Sequence, residues 1–321
     1  MLPHRQGDRA PGTLDRVILL ASPGQGAQTP GFLEPWLEVP GVADRLTWWS
    51  AVTGLDLVRF GTTADAEEIR DTAVAQPLLV AAALAAYEQL FPEGGRPDAV
   101  AGHSVGELAA AAISGVLSPE TALVLVRERG RAMAEAAAVT ETGMTALLGG
   151  DPDEVLTVID KHGLTPANVN GAGQVVAAGT MSQLEDLANE PPARARLRPL
   201  AVAGAFHTEH MLPAVETLSR LAPGASVRDP ESTLLSNRDG AVVASGREYL
   251  DRLVAQVSAP VRWDACMETM RGLGVTAIIE LPPAGTLTGL ARRELKGVEL
   301  LALKTPDDLD KARELIKAHT S

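Results

Sequence analysis

A short apolar run, Ala99-Val100-Ala101, leads straight into Gly102-His103-Ser104-Val105-Gly106, and an alanine-rich stretch over 105–113 follows. Few folds accept that order. A strand that turns sharply into a helix through G-x-S-x-G strains the backbone at the serine and projects its hydroxyl outward, while the flanking glycines make room for neighbouring backbone. The N–H of the next residue, Val105, then lies at a helix start, where it suits an oxyanion. The plainer alternative is that Ser104 only caps the helix.

The same strand–turn–helix order recurs along the chain. An apolar strand is expected over 16–21, closed by Ser22, Pro23 and Gly24. Helices are expected over 76–90, 105–113 and 119–138, and further strands over 99–101, 275–281 and 298–303. A last helix should start after Thr305 as N-cap, with Pro306 at its first position and acids in its first turn. This alternation predicts an α/β fold with a parallel sheet. From 143 to 204 the order changes to strand (145–148), helix (152–162), strand (166–170), strand (174–179), helix (182–190) and strand (197–202). That β-α-β-β-α-β order predicts an inserted ferredoxin-like small subdomain over 143–204, between two parts of a large subdomain over 16–142 and 205–321.

Length allows this division, because 321 residues is about twice the ~150 of a typical domain. Hydrophobic residues make up 45% but only ten are aromatic, so the core must be built from Ala, Val and Leu. A net charge of −13 weighs against nucleic-acid binding. The longest apolar run, around 77–86, is shorter than the ~18–20 residues of a membrane-spanning helix, so no membrane role is expected. Residues 1–15 lack the apolar segment of a signal peptide and read as a flexible leader. Cys266 is the sole cysteine, which rules out an internal disulfide and a cysteine metal cluster. A soluble cytoplasmic protein without a metal is the expectation.

A nucleophilic serine needs a base, and there are six histidines. His4 and His319 lie near the termini, His162 ends a predicted helix, and His103 adjoins the serine and should point away from it. His207 and His210 remain; His207 is favoured by its place at a loop-to-helix junction, over a metal-ligand or plain surface reading. Arg129 shares one face of the helix over 119–138 with Leu125, Ala132, Met133 and Ala136, while Arg127 and Arg131 fall elsewhere. An arginine in an apolar stripe stays charged and needs an anion, either an internal carboxylate or one on a substrate. Position alone favours the internal pair. Pro23-Gly24-Gln25-Gly26-Ala27-Gln28 lacks the third glycine of a dinucleotide loop, so its amide and N–H groups suit an oxyanion better.

Taken together, these segments resemble the malonyl-CoA:acyl carrier protein transacylases of bacterial fatty-acid synthesis. The likeness runs from about Val17 to the C-terminus. It includes Pro-Gly-Gln-Gly-Ala-Gln, Gly-His-Ser-Val-Gly-Glu, Arg-Glu-Arg-Gly around Arg129, and Asn168-Val169-Asn170 with Gly173-Gln174-Val175-Val176. Ala205-Phe206-His207 and Gln256 ahead of Pro260-Val261-Arg262-Trp263 complete it.

The resemblance implies an α/β-hydrolase-like large subdomain. It makes Ser104 the acylated nucleophile, His207 its base, and Gln25 with the Val105 N–H the oxyanion hole. Arg129 would bind the malonyl carboxylate, and the main-chain carbonyl of Gln256 would orient the histidine in place of an acid. Asn170 matches a channel-lining position, while Val105 and Phe206 point to malonyl rather than methylmalonyl units. The implied substrates are malonyl-CoA and holo acyl carrier protein, with no bound cofactor, ping-pong kinetics, and a product serving fatty-acid or polyketide synthesis. The carrier is expected to be acidic, and Arg194, Arg196 and Arg198 alternate so as to share one face of an extended segment, although a solvated edge is the simpler reading of that ridge. Two other classes compete: a thioesterase using the same Ser104 and His207, and a binding module without turnover.

Overall fold

Short apolar strands separated by helices too apolar to face water must stack the helices on both sides of a sheet. The computed structural model describes residues 16–202 and 204–320, so the expected leader over 1–15 lies outside the described residues. The first part of the chain forms β1 (Val17–Ser22), α1 (Val42–Thr53), α2 (Leu57–Thr62) and α3 (Thr72–Leu90). It continues through β2 (Ala99–Gly102), α4 (Gly106–Ile113) and α5 (Pro119–Ala137). The middle part forms β3 (Thr142–Gly149), α6 (Pro152–Lys161), β4 (Thr165–Gly171), β5 (Gln174–Thr180), α7 (Met181–Asn189) and β6 (Ala195–Pro199). The rest is α8 (Leu212–Leu221), β7 (Thr233–Leu234), α9 (Gly246–Gln256), β8 (Val261–Arg262) and α10 (Trp263–Gly272). It ends with β9 (Val275–Glu280), α11 (Thr286–Glu294), β10 (Glu299–Ala302) and α12 (Leu309–Thr320).

The first sheet is parallel throughout, in the order β10-β9-β1-β2-β7. Its centre is covered on both faces: Leu19, Leu20 and Ala21 are fully buried. The second sheet has the order β6-β3-β5-β4-β8. Its first four strands are antiparallel neighbours, which is the order and sense of a ferredoxin-like unit. A fifth strand comes from outside the predicted insert: β8 joins the edge at β4 in parallel, Asn168 opposite Val261 and Val169 opposite Arg262.

Three local expectations shift. The helix expected to begin at Gln76 starts at Thr72, because Asp71 accepts from the Ala73 N–H as its N-cap and Pro77 is carried inside the helix. By length and composition alone this helix could cross a membrane, which the short apolar run did not suggest, but 78% of its apolar window is buried within the protein. The strand expected over 197–202 is β6 instead, with Ala195 and Leu197 half-buried and Arg196 and Arg198 exposed. Arg194 precedes that strand in a left-handed conformation (φ 60°), so only Arg196 and Arg198 share a face by strand alternation.

Close backbone approach requires glycine at some positions and not at others. A Cβ on Gly106 would lie 2.2 Å from the Ser22 carbonyl oxygen, whereas one on Gly289, inside α11, would meet nothing within 4 Å. Gly106→Ala should therefore cost more than the ~1–3 kcal/mol of ordinary overpacking. Gly289→Ala should gain about 0.5–1 kcal/mol from helix propensity. Urea denaturation of the two variants beside wild type checks both signs.

Candidate active site

The turn between β2 and α4 is held from three sides. Gly102 cannot carry a side chain, since its Cβ would fall 2.0 Å from the carbonyl carbon of Gly106. His103 donates its N–H to the Ser22 carbonyl (2.9 Å) and Ser104 donates its N–H to Asn237 Oδ1 (2.8 Å). Ser104 itself sits at φ 52°, a left-handed conformation that costs a non-glycine residue of order 1–3 kcal/mol.

His207 faces it. Its Nε2 is 2.7 Å from Ser104 Oγ and its Nδ1 is 2.7 Å from the main-chain oxygen of Gln256. A carbonyl only accepts, so Nδ1 carries the proton and the Nε2 lone pair is turned to the hydroxyl. His207 also adopts a positive φ, 62°. Burial, reinforced by the Arg129 cation, pushes its pKa down to about 3. The other histidines are elsewhere: His103 turns away to Asn170 Oδ1 (2.8 Å) and packs edge-on against Trp263. His210 is half-buried in the turn before α8, and among the described residues no cluster of three potential metal ligands occurs.

Arg129 is 3% exposed and lies among amides rather than acids. Nη1 donates to Gln76 Oε1 (2.6 Å) and Nη2 to Gln256 Oε1 (2.8 Å), with Ser104 Oγ 3.5 Å from Nη2. Among the described residues no carboxylate pairs with it, so the internal ion pair that position alone favoured is not formed. Burial lowers its pKa to about 10, which leaves it charged at neutral pH. Gly130 lets α5 come this close: a Cβ there would lie 2.8 Å from the Thr72 carbonyl at the start of α3.

The loop after β1 is packed on the same turn, where a Cβ on Gly24 would lie 2.9 Å from His103 Nδ1. The side chain of Gln25 is engaged with the start of α3, where its Nε2 donates to Thr72 Oγ1 (3.1 Å). Its main-chain N–H and that of Val105 are different: neither has a protein acceptor among the described residues. Asn170 is buried on β4 against His103, tying the second sheet to the turn. Phe206 is buried with Met133, Ala136 and Met144, between α5 and the second sheet.

Sequence reasoning gave no role to four buried polar residues behind this group: Gln76, Glu107, Asn237 and Tyr249. Gln256 Nε2 donates to Glu107 Oε2 and to the Ser104 carbonyl oxygen (3.0 Å), and the Asn237 N–H and Tyr249 hydroxyl donate to Glu107 Oε1 (2.7 and 3.3 Å). Burial raises the Glu107 pKa to about 7. The signal for Glu107 was present as a lone polar residue in an otherwise apolar helix, and that for Gln76 as a polar residue within the apolar first three turns of α3.

An acyl transferase domain family matches residues 41–311. The malonyl CoA-acyl carrier protein transacylase of Mycobacterium tuberculosis is 54% identical over 302 residues, 93% of this chain and all of that protein. The crystal structure of the Mycobacterium tuberculosis enzyme superimposes with a TM-score of 0.90 at 53% identity, over 93% of this chain and 100% of that one. A malonyl-transacylase solved in complex with its holo type II polyketide-synthase acyl-carrier protein gives a TM-score of 0.88 at 31% identity, over 93% of this chain and 99% of that one.

A base that is already neutral has no titration to show near neutrality. Inactivation of Ser104 by an uncharged sulfonyl fluoride should run at a constant rate from about pH 5 to about pH 8. Stopped-time mass spectrometry measures it, and a rise centred near pH 6.5 would mean an imidazole at its ordinary pKa.

Proposed function

This chain belongs to the malonyl CoA-acyl carrier protein transacylases, acyltransferases by family, and we propose that it works by a ping-pong route through a malonyl ester on Ser104. The observation that carries the proposal is the buried guanidinium of Arg129, hydrogen-bonded to amides rather than to a carboxylate and 3.5 Å from the serine oxygen. Only three of its five N–H groups are left over after Gln76 and Gln256 take one each, and they suit the planar carboxylate of a malonyl group.

In the first half-reaction His207 Nε2 takes the Ser104 proton as Oγ attacks the thioester carbonyl carbon of malonyl-CoA. The main-chain N–H groups of Gln25 and Val105 meet the resulting oxyanion, and losing one such donor typically costs ~10²–10³ in rate. The C–S bond then breaks and coenzyme A leaves with the proton from His207. In the second half-reaction the phosphopantetheine thiol of a holo acyl carrier protein gives its proton to His207 and attacks the serine ester. Serine leaves and recovers the proton. The Gln256 carbonyl keeps the imidazole in the right tautomer throughout, as an aspartate does in other serine enzymes. Val105 and Phe206 favour an unbranched malonyl unit. No step calls for a metal or cofactor, and both substrates, a thioester and a carrier-borne thiol, are water-soluble, which fits a cytoplasmic setting and product use in fatty-acid or polyketide synthesis.

Intact-protein mass after brief exposure to malonyl-CoA tests this directly. A malonyl adduct is expected on wild type, absent from Ser104→Ala, and discharged on adding holo carrier. Release of free malonate without a thiol acceptor would mean a hydrolase instead. Arg129→Lys keeps the charge but loses the fork, so malonyl transfer should fall about tenfold or more relative to acetyl transfer.

A further inference from the structure

An amide side chain has nearly the same shape either way round, so only its hydrogen bonds decide which end is oxygen. Gln256 joins the two halves of the site: its main-chain oxygen holds His207 and its side-chain oxygen accepts from Arg129 Nη2 (2.8 Å). At the other end of the amide, Nε2 faces Glu107 Oε2 and the Ser104 carbonyl (3.0 Å), with Asn237 Oδ1 3.4 Å away. Turned over, the amide would set an NH₂ against a guanidinium and an oxygen against a carboxylate. Both contacts would be repulsive in a site from which water is excluded.

We propose that Glu107 is a positioning residue for substrate choice, locking the Gln256 amide so that its oxygen faces Arg129 and the guanidinium stays where a malonyl carboxylate meets it. The inference rests on the function proposed above. Glu107 reaches no reacting atom in it, and the main-chain contact from Gln256 to His207 does not depend on the amide. Selectivity and acyl transfer are therefore separable.

Neutralising Glu107 reverses the preference. In Glu107→Gln the Asn237 N–H, a fixed donor at 2.7 Å from Oε1, claims the new carbonyl oxygen, and the new NH₂ then faces the Gln256 amide. A proton on Glu107 does the same, since it must sit on Oε2. Of the titratable groups around it, Tyr249 and Cys266 are pushed up by burial, Arg129 stays near 10, and His103 and His207 are pushed down. Glu107, raised by burial to about 7, is the one whose charge changes between about pH 6 and about pH 8.

The test is the ratio of kcat/KM for malonyl-CoA to that for acetyl-CoA, which cancels every step the two substrates share. Wild type, Glu107→Gln and Arg129→Ala are compared, and wild type is followed from about pH 8 to about pH 6. In Glu107→Gln the ratio should fall about ten- to hundredfold, the weight of one charge-assisted hydrogen bond, through KM for malonyl-CoA with acetyl transfer retained. The wild-type ratio should fall as the pH drops, and that of Glu107→Gln should not change. A ratio that collapses in Arg129→Ala yet is unaltered in Glu107→Gln overturns the inference and leaves the proposed function standing. No malonyl preference in wild type, with Arg129→Ala indifferent, overturns the function itself. Should Glu107→Gln fail to fold, Gln256→Met, which removes the amide and keeps the main-chain carbonyl, takes its place, and an unaltered ratio there overturns the inference.

Discussion

A guanidinium removed from water has to be solvated by the protein, and Arg129 is solvated by the oxygens of two amides, Gln76 and Gln256. A carboxylate partner would have answered the desolvation cost more strongly, but it would also have cancelled the charge and competed with any incoming anion. Amides satisfy geometry without neutralising. The positive charge is thus left standing beside the serine, and burial together with that charge keeps His207 unprotonated. The free positive charge and the neutral imidazole have one origin here.

That arrangement depends on backbone approaches that tolerate no side chain. Gly102 and Gly106 let β2, α4 and the loop after β1 meet at the turn, and Gly130 lets α5 reach the first turn of α3. Ser104 and His207 both sit in left-handed backbone, each a cost that the surrounding packing has to hold in place. The alanine-rich helices serve the same end. With few large side chains between them, α3, α4 and α5 pack closely enough to bring Gln76 to Arg129 and to bury Glu107 just behind Ser104.

Much of this was legible in the sequence, and the reason is local. The strands around the G-x-S-x-G turn and the β-α-β-β-α-β order of the second sheet are written in short-range periodicity, so both were read with small errors at the ends. Arg129 was legible because one charge stood in an apolar stripe, although that stripe alone pointed to an internal acid and not to amides. Helices α1, α2, α9 and α10 drew no assignment, even though Val42, Leu46, Trp49 and Thr53 form a buried stripe along α1. Strand β8 is only two residues long and exists because β4 offers it an edge. The side chain of Gln25 and the partners of Glu107 were out of reach for the same reason: each is decided by residues tens to more than a hundred positions away, and no spacing encodes them.

Strand β8 also changes what the second sheet is. The chain over 256–263 holds His207 by a carbonyl at its beginning and is stitched into the second sheet at its end, next to the strand that carries Asn170. The small sheet therefore braces His207 and the serine turn together, and is not an ornament hung on a finished large subdomain. Anyone building chimaeras from this scaffold should cut accordingly. A transplanted small sheet has to bring an edge that accepts β8 and a partner for His103, or the exchange will detune the very histidine it leaves untouched.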